Sequence, residues 1–90
     1  MTRLLLEGEA VQVWGPEERP EGFVWRGVPH HIEGVSNRWQ VHTRWWEAGE
    51  TVWREYWKVT TDASRGAGGM LCELYQDRLA GGWFLARVYD

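Results

Sequence analysis

The sequence predicts an all-β domain, a small, strongly curled antiparallel sheet or partly open barrel of five to six strands. Three observations carry that prediction. Glycine and proline interrupt the 90-residue chain every ten residues or so. The segments between them are aromatic or β-branched. Several of those segments also alternate apolar and polar residues with a period of two.

The first segment, RLLLEGEAVQVW, reads as one strand or two, with Gly8 as bulge or turn. GPEERPEG, residues 15 to 22, is an exposed loop, because its prolines cannot donate to a ladder and its glutamates need water. FVWRGVPHHIEGV is a strand, a turn at Arg26-Gly27, and a second strand through His31 and Ile32. In SNRWQVHTRWW, Trp39, Val41 and Thr43 share one parity and Arg38, Gln40, His42 and Arg44 the other, which predicts a strand; a helix over residues 33 to 40 is the competing reading. EAGE, residues 47 to 50, makes a hairpin loop. TVWREYWKVTT is the clearest strand, with Trp53, Glu55, Trp57 and Val59 on one side and Val52, Arg54, Tyr56 and Lys58 on the other. DASRGAGG connects it to MLCELYQD, where Met70, Cys72 and Leu74 oppose Leu71, Glu73 and Tyr75. RLAGG turns the chain into WFLARVYD. No repeat or linker divides residues 1–90, so a single domain is expected.

A chain this short buries only about 60–65% of its unfolded surface. Eight tryptophans, each able to bury roughly 150–250 Å², are expected to supply the missing bulk of the core. Five of them, Trp39, Trp45, Trp46, Trp53 and Trp57, crowd into residues 37–57.

The net charge of −3 opposes a dedicated duplex-DNA binder. Nine of the ten basic residues are arginine, which favours planar and stacked partners. The lone cysteine, Cys72, excludes an intrachain disulfide, and the start MTRLLLEGEA is too short and polar for a signal peptide. A cytoplasmic protein without a membrane span is expected.

The sequence offers little recognisable chemistry. His30 and His31 are adjacent, so a strand would turn them to opposite faces, away from a common metal. His31, His42 and Cys72 lack a ligand spacing. Ser64 lies outside any GxSxG elbow. Cys72 sits in an apolar strand, where a thiol is ordinarily inert. SRGAGGM lacks the helix and the Gly-Lys-Ser or Gly-Lys-Thr of a phosphate loop. No catalytic residue, metal site or cofactor is expected. The best constellation is Arg54, Tyr56 and Lys58 on one strand face, a cationic and aromatic set of the kind on which single-stranded bases stack.

From Phe23 onward the landmarks FVWRG, a spacer holding Trp39, RWW, REYWKV, CELYQD and GGWFLARVYD follow in order. This series resembles a small domain of bacterial DNA-damage-tolerance systems. That domain stands alone as a short protein or ends catalytically inactive Y-family-polymerase-like proteins of the mutasome. The resemblance covers roughly three quarters of the chain; its more specific parts are the Trp45–Trp46 pair and the terminal GGW–x–x–x–x–VYD. It implies an accessory module working through protein contacts with polymerase-related partners, with no catalytic residues to carry over. Trp45, Trp46, Trp83 and Tyr89 belong to the recurring frame. Because Trp45 and Trp46 are adjacent and face opposite ways, one of the two is expected to be exposed as a partner-binding residue. The reading from sequence is therefore a non-enzymatic adaptor that contacts protein, with homodimerisation an added option. Single-stranded nucleic-acid binding is the first alternative and an enzyme of unknown type the second.

Overall fold

A computed structural model describes the backbone of residues 2–16, 18–45, 50–62 and 69–89, and the side chains of residues 8–16, 18–43, 51–62 and 69–89. These residues form six strands: β1 (Thr2–Trp14), β2 (Gly22–Trp25), β3 (Val28–Trp45), β4 (Glu50–Thr61), β5 (Leu71–Asp77) and β6 (Trp83–Tyr89). Every pairing is antiparallel and the strands follow chain order around a closed barrel, β6 returning to β1. Closure, rather than the partly open form, depends on two long strands that each serve two neighbours. β1 pairs with β6 from Thr2 to Val11 and with β2 from Gln12 to Trp14. β3 pairs with β2 through His31 and with β4 from Ile32 onward. Such corner strands let a sheet curl back on itself until its first and last strands meet.

The turns follow local chemistry. Arg26 (φ 51°) and Gly27 (φ 80°) are both left-handed, as a two-residue hairpin requires. Arg26 is held there by Glu9, which accepts bonds from its Nε at 3.1 Å and Nη2 at 3.0 Å, while Trp25 Nε1 donates to the same carboxylate at 2.6 Å. In the β5–β6 turn, Asp77 Oδ1 accepts from the backbone N–H groups of Leu79 and Ala80 at 2.9 and 3.0 Å, an Asx-type arrangement.

Residues 33–40 are strand, so the helical reading is set aside. Two register shifts, between Ile32 and Gly34 and between Val35 and Asn37, insert bulge residues that break the period of two. A third shift lies in β1 between Leu4 and Glu9. There Gly8 has φ 76°, and a Cβ would sit 2.8 Å from the Tyr75 hydroxyl oxygen. Gly8→Ala is expected to lower unfolding free energy by about 1–3 kcal/mol through overpacking and strain, read as a lower urea midpoint at unchanged slope.

The interior holds Phe23, Trp57, Val59, Cys72, Leu74, Leu85 and Val88, all essentially inaccessible, with Val11, Val13, Trp25, Ile32, Val35, Met70 and Trp83 packed against them. This corrects the expectation that indoles fill the core. Among the described tryptophans only Trp57 is fully buried; Trp14, Trp25, Trp39, Trp53 and Trp83 are half-buried. A six-stranded barrel is narrow, and one indole with Trp83 tilted against it at 4.8 Å occupies much of its cross-section. Aliphatic side chains fill the rest.

His30 is also buried, stacked on Phe23 with centroids 5.1 Å apart, and its Nδ1 has no hydrogen-bond partner among the described residues. Burial holds its pKa below the ordinary histidine value. The unfolded chain therefore takes up this proton more readily than the native one. The stability tied to neutral His30 is complete above about pH 6.5 and is lost as pH falls toward the depressed native value. His30→Phe is expected to flatten that acid limb, measured as unfolding free energy between pH 7.5 and 5, and to hold or raise stability at neutral pH.

Candidate functional site

β4 organises the chemistry because its two faces meet different worlds. Glu55, Trp57, Val59 and Thr61 are buried, whereas Val52, Arg54, Tyr56, Lys58 and Thr60 lie half-exposed on the outer face. That is the alternation expected from sequence. Arg54, Tyr56 and Lys58 thus do share the outer face.

Register then adds what a single strand cannot supply. Trp39, Tyr56, Tyr75 and Phe84 are direct cross-strand partners on β3, β4, β5 and β6. Their rings form a row with centroid separations of 5.3, 5.2 and 5.0 Å, and the Trp39–Tyr56 planes are within 4° of parallel. Cations cover other ring faces. The Arg54 guanidinium lies 4.5 Å above Tyr75, and Lys58 Nζ lies 4.7 Å from the centroid of Tyr89. Arg54 Nη1 also donates to the Tyr56 hydroxyl at 3.4 Å, the leading reason its pKa is raised. Beside this row the Tyr89 hydroxyl donates to Glu73 Oε1. The outer face is thus a ladder of rings stacked on one another.

At the interior end of the same strands sits a charge cluster. Glu55 is 4% exposed. Its Oε1 accepts from Arg38 Nε at 2.5 Å and pairs with Arg38 Nη2, while Arg78 Nη1 stands 4.0 Å from Oε2. The Arg38 guanidinium also lies 5.1 Å from the Trp57 ring centroid. One carboxylate between two guanidiniums closes this end of the barrel. A hollow of ≈ 230 Å³ beside it is lined by Glu18, Arg19, Val35, Arg38 and Trp57, and another of ≈ 240 Å³ lies between Thr51–Arg54 and the β5–β6 turn. Both are smaller than usual small-molecule sites, which run from about 300 Å³ upward.

The third feature is an arm. β5 pairs with β4 only as far as Arg54–Asp77, yet β3 and β4 stay paired to Trp45–Glu50. Beyond Arg54 the hairpin is a two-stranded ribbon, which helps draw the molecule out to 48 × 30 × 24 Å. His42 stacks on Trp53 across it at 5.3 Å, and the β5–β6 turn braces its base through Arg78 N–H to Trp53 C=O at 2.8 Å. Trp45 ends the described part of β3; its side chain and all of Trp46, the expected partner-binding pair, lie outside the described residues.

The histidines and the cysteine do not meet. His31 turns to Trp14 (edge-on, 5.4 Å), His30 to the core, His42 to the arm, and Cys72 is sealed inside. Among the described residues no three His, Cys, Asp or Glu side chains could hold one metal ion. Burial, with the Glu73 charge adding to it, pushes the Cys72 thiol up to about 12, so the thiolate that would act as nucleophile is strongly disfavoured. No helix among the described residues is long and apolar enough to cross a membrane.

Comparison with known sequence families finds one match, a domain of unknown function (DUF6504), over residues 4–90. The chain belongs to the DUF6504 family. No curated protein and no solved structure matches it. The DUF6504 match runs from β1 to the end of the chain and so takes in every element of the barrel, the arm and the ring ladder. Sequence reasoning on this DUF6504 chain missed the Arg38–Glu55–Arg78 cluster. Its one signal was Glu55 sharing a parity with Trp53 and Trp57, a carboxylate on an apolar face.

Proposed function

We propose that this DUF6504 chain is a non-enzymatic adaptor that works by protein–protein contact, in the cytoplasm and in the setting of DNA-damage tolerance. The setting draws its support from the series FVWRG to GGWFLARVYD, whose resemblance points to polymerase-related partners. The mode of action draws its support from one observation, the β3–β4 arm that continues past the closed barrel. A ribbon held out from a rigid body offers backbone and side chains to another protein without disturbing the core. The test is capture by the full chain from a host lysate, followed by reconstitution with the purified candidate. A defined complex at micromolar concentrations supports the reading. Failure of every captured protein to reconstitute counts against it.

Single-stranded nucleic-acid binding through Arg54, Tyr56 and Lys58 is the second reading, favoured by their common outer face. Bases stack on open ring faces. Here Tyr56 is flanked by Trp39 and Tyr75, and Arg54 covers Tyr75, which makes protein contact the better-supported reading. Salt-sensitive quenching of tryptophan fluorescence by a single-stranded oligonucleotide would reverse that order; no quenching at low salt would end the second reading.

A further inference from the structure

Past the short β2 pairing, β3 has an open edge that begins in the barrel and runs out along the arm. Along β4, odd-numbered residues turn their backbone groups toward β5: Thr61 N–H donates to Met70 C=O at 2.9 Å and Trp53 C=O accepts from Arg78 N–H at 2.8 Å. Even-numbered residues therefore face β3. By the register, Asn37, Trp39, Val41 and Thr43 bond to Lys58, Tyr56, Arg54 and Val52. Arg38, Gln40, His42 and Arg44 turn their N–H and C=O groups the other way. Among the described residues no strand pairs with that side of β3 beyond Ile32, whose N–H goes to Glu21 C=O at 2.9 Å. The Arg38 N–H is capped by Asn37 Oδ1 at 2.9 Å. Among the described residues, the backbone donors and acceptors of Gln40, His42 and Arg44 are left open.

Resting on the protein-contact reading above, we infer that this edge of β3, from Arg38 to Arg44, binds an extended acidic segment of a partner protein as an added β-strand. Charge selects the occupant. Residues 34–45 contain two arginines and a histidine and no carboxylate, in a chain whose net charge is −3. Arg38 is half-exposed at the edge even while it holds Glu55. Arg19 is exposed beside the hollow that Arg38 lines, where Glu18 is the one carboxylate among the described lining residues. On the other side of the strand Trp39 and Val41 are half-buried and offer apolar contact to alternate side chains of the incoming strand. A segment alternating carboxylates with apolar residues matches both sides. A second copy matches less well, because it sets one arginine-bearing, carboxylate-free segment against another. Charged residues and the Asn37 cap also serve to discourage indiscriminate edge pairing, and the selectivity proposed here uses the same charges.

The experiment titrates the full chain with an eight-residue, end-blocked peptide of alternating glutamate and valine, and with its lysine-for-glutamate counterpart, followed by backbone amide NMR. The expected result is shifts and exchange protection at Gln40, His42 and Arg44, with the glutamate peptide binding roughly tenfold more tightly or better. Gln40→Pro removes an N–H that the barrel does not use, as an edge strand tolerates. It should abolish binding while the Trp39 and Val41 amides stay protected. Gln40→Glu, which keeps the backbone unchanged, should reverse the preference between the two peptides. Equal affinity for both peptides, binding unaffected by either variant, or shifts confined to the outer ring ladder would overturn the inference. So would concentration-dependent protection of the same amides without peptide, which would give the edge to a second copy. A reconstituted partner bound equally well by Gln40→Pro would overturn this edge assignment and leave the protein-contact reading intact.

Discussion

Trp57→Ala is expected to lower the unfolding free energy by about 3–5 kcal/mol, a large fraction of the 5–15 kcal/mol typical of small domains. Trp57 is 1% exposed, packs against Trp83, and has the Arg38 guanidinium over its ring. Its removal empties the centre of a closed barrel. β4, which carries Trp57, is bonded to β3 and β5 on its two sides and cannot collapse inward, so the cavity persists and the cost includes both lost transfer energy and lost contacts. Chemical denaturation followed by circular dichroism measures it. Trp53→Ala, on the arm, provides the contrast. Its ring touches His42 and Arg78 outside the core, and a loss well below that of Trp57→Ala is expected. Equal losses would mean that the arm and the barrel share one packed interior.

Arg38→Met carries the second large effect. It leaves the buried Glu55 carboxylate with Arg78 at 4.0 Å as its nearest cation. Removing one partner of a buried pair costs about 3–5 kcal/mol. The Arg38 side chain is 50% exposed, so solvent screens part of this and about 2–3 kcal/mol is expected. The double variant Arg38→Met, Glu55→Met should recover most of the loss, because an apolar pair needs no charge compensation. A coupling energy of roughly 1.5 kcal/mol or more in the resulting double-mutant cycle is expected. Coupling near zero would show that water, rather than Arg38, solvates the carboxylate.

The faces of β4 were legible in the sequence because alternation is a local property. Trp57 and Val59 went inward, Arg54, Tyr56 and Lys58 outward, and the Arg26-Gly27 turn was marked by its own residues. The features that escaped depend on partners distant in the chain. Closure needs β1 to reach both β6 and β2. The two bulges in β3 blur its period and give residues 33–40 their helical look. Tyr75 shows its outward parity, yet it is 3% exposed because Tyr56, Phe84 and the Gly8 bulge crowd it, and no window around residue 75 contains any of them. The surplus of tryptophan suggested a core of indoles. Among the described ones only Trp57 lies inside; Trp25 and Trp83 flank the core, and Trp14, Trp39 and Trp53 lie farther out, where half-burial suits a large ring with a polar N–H. Glu55 had the parity of a core residue, but its compensating Arg38 could be identified only once the β3–β4 register was fixed.

The sealed thiol of Cys72 makes the protein its own clock. It is the single cysteine in the chain, fully shielded and reluctant to ionise, so an alkylating reagent can find it only in molecules whose sheet has parted. The pace of alkylation, followed by intact mass at rising denaturant, therefore counts opening events directly. Comparing that pace with amide exchange in β5 would tell whether β5 separates from its neighbours by itself or the whole cylinder comes apart at once.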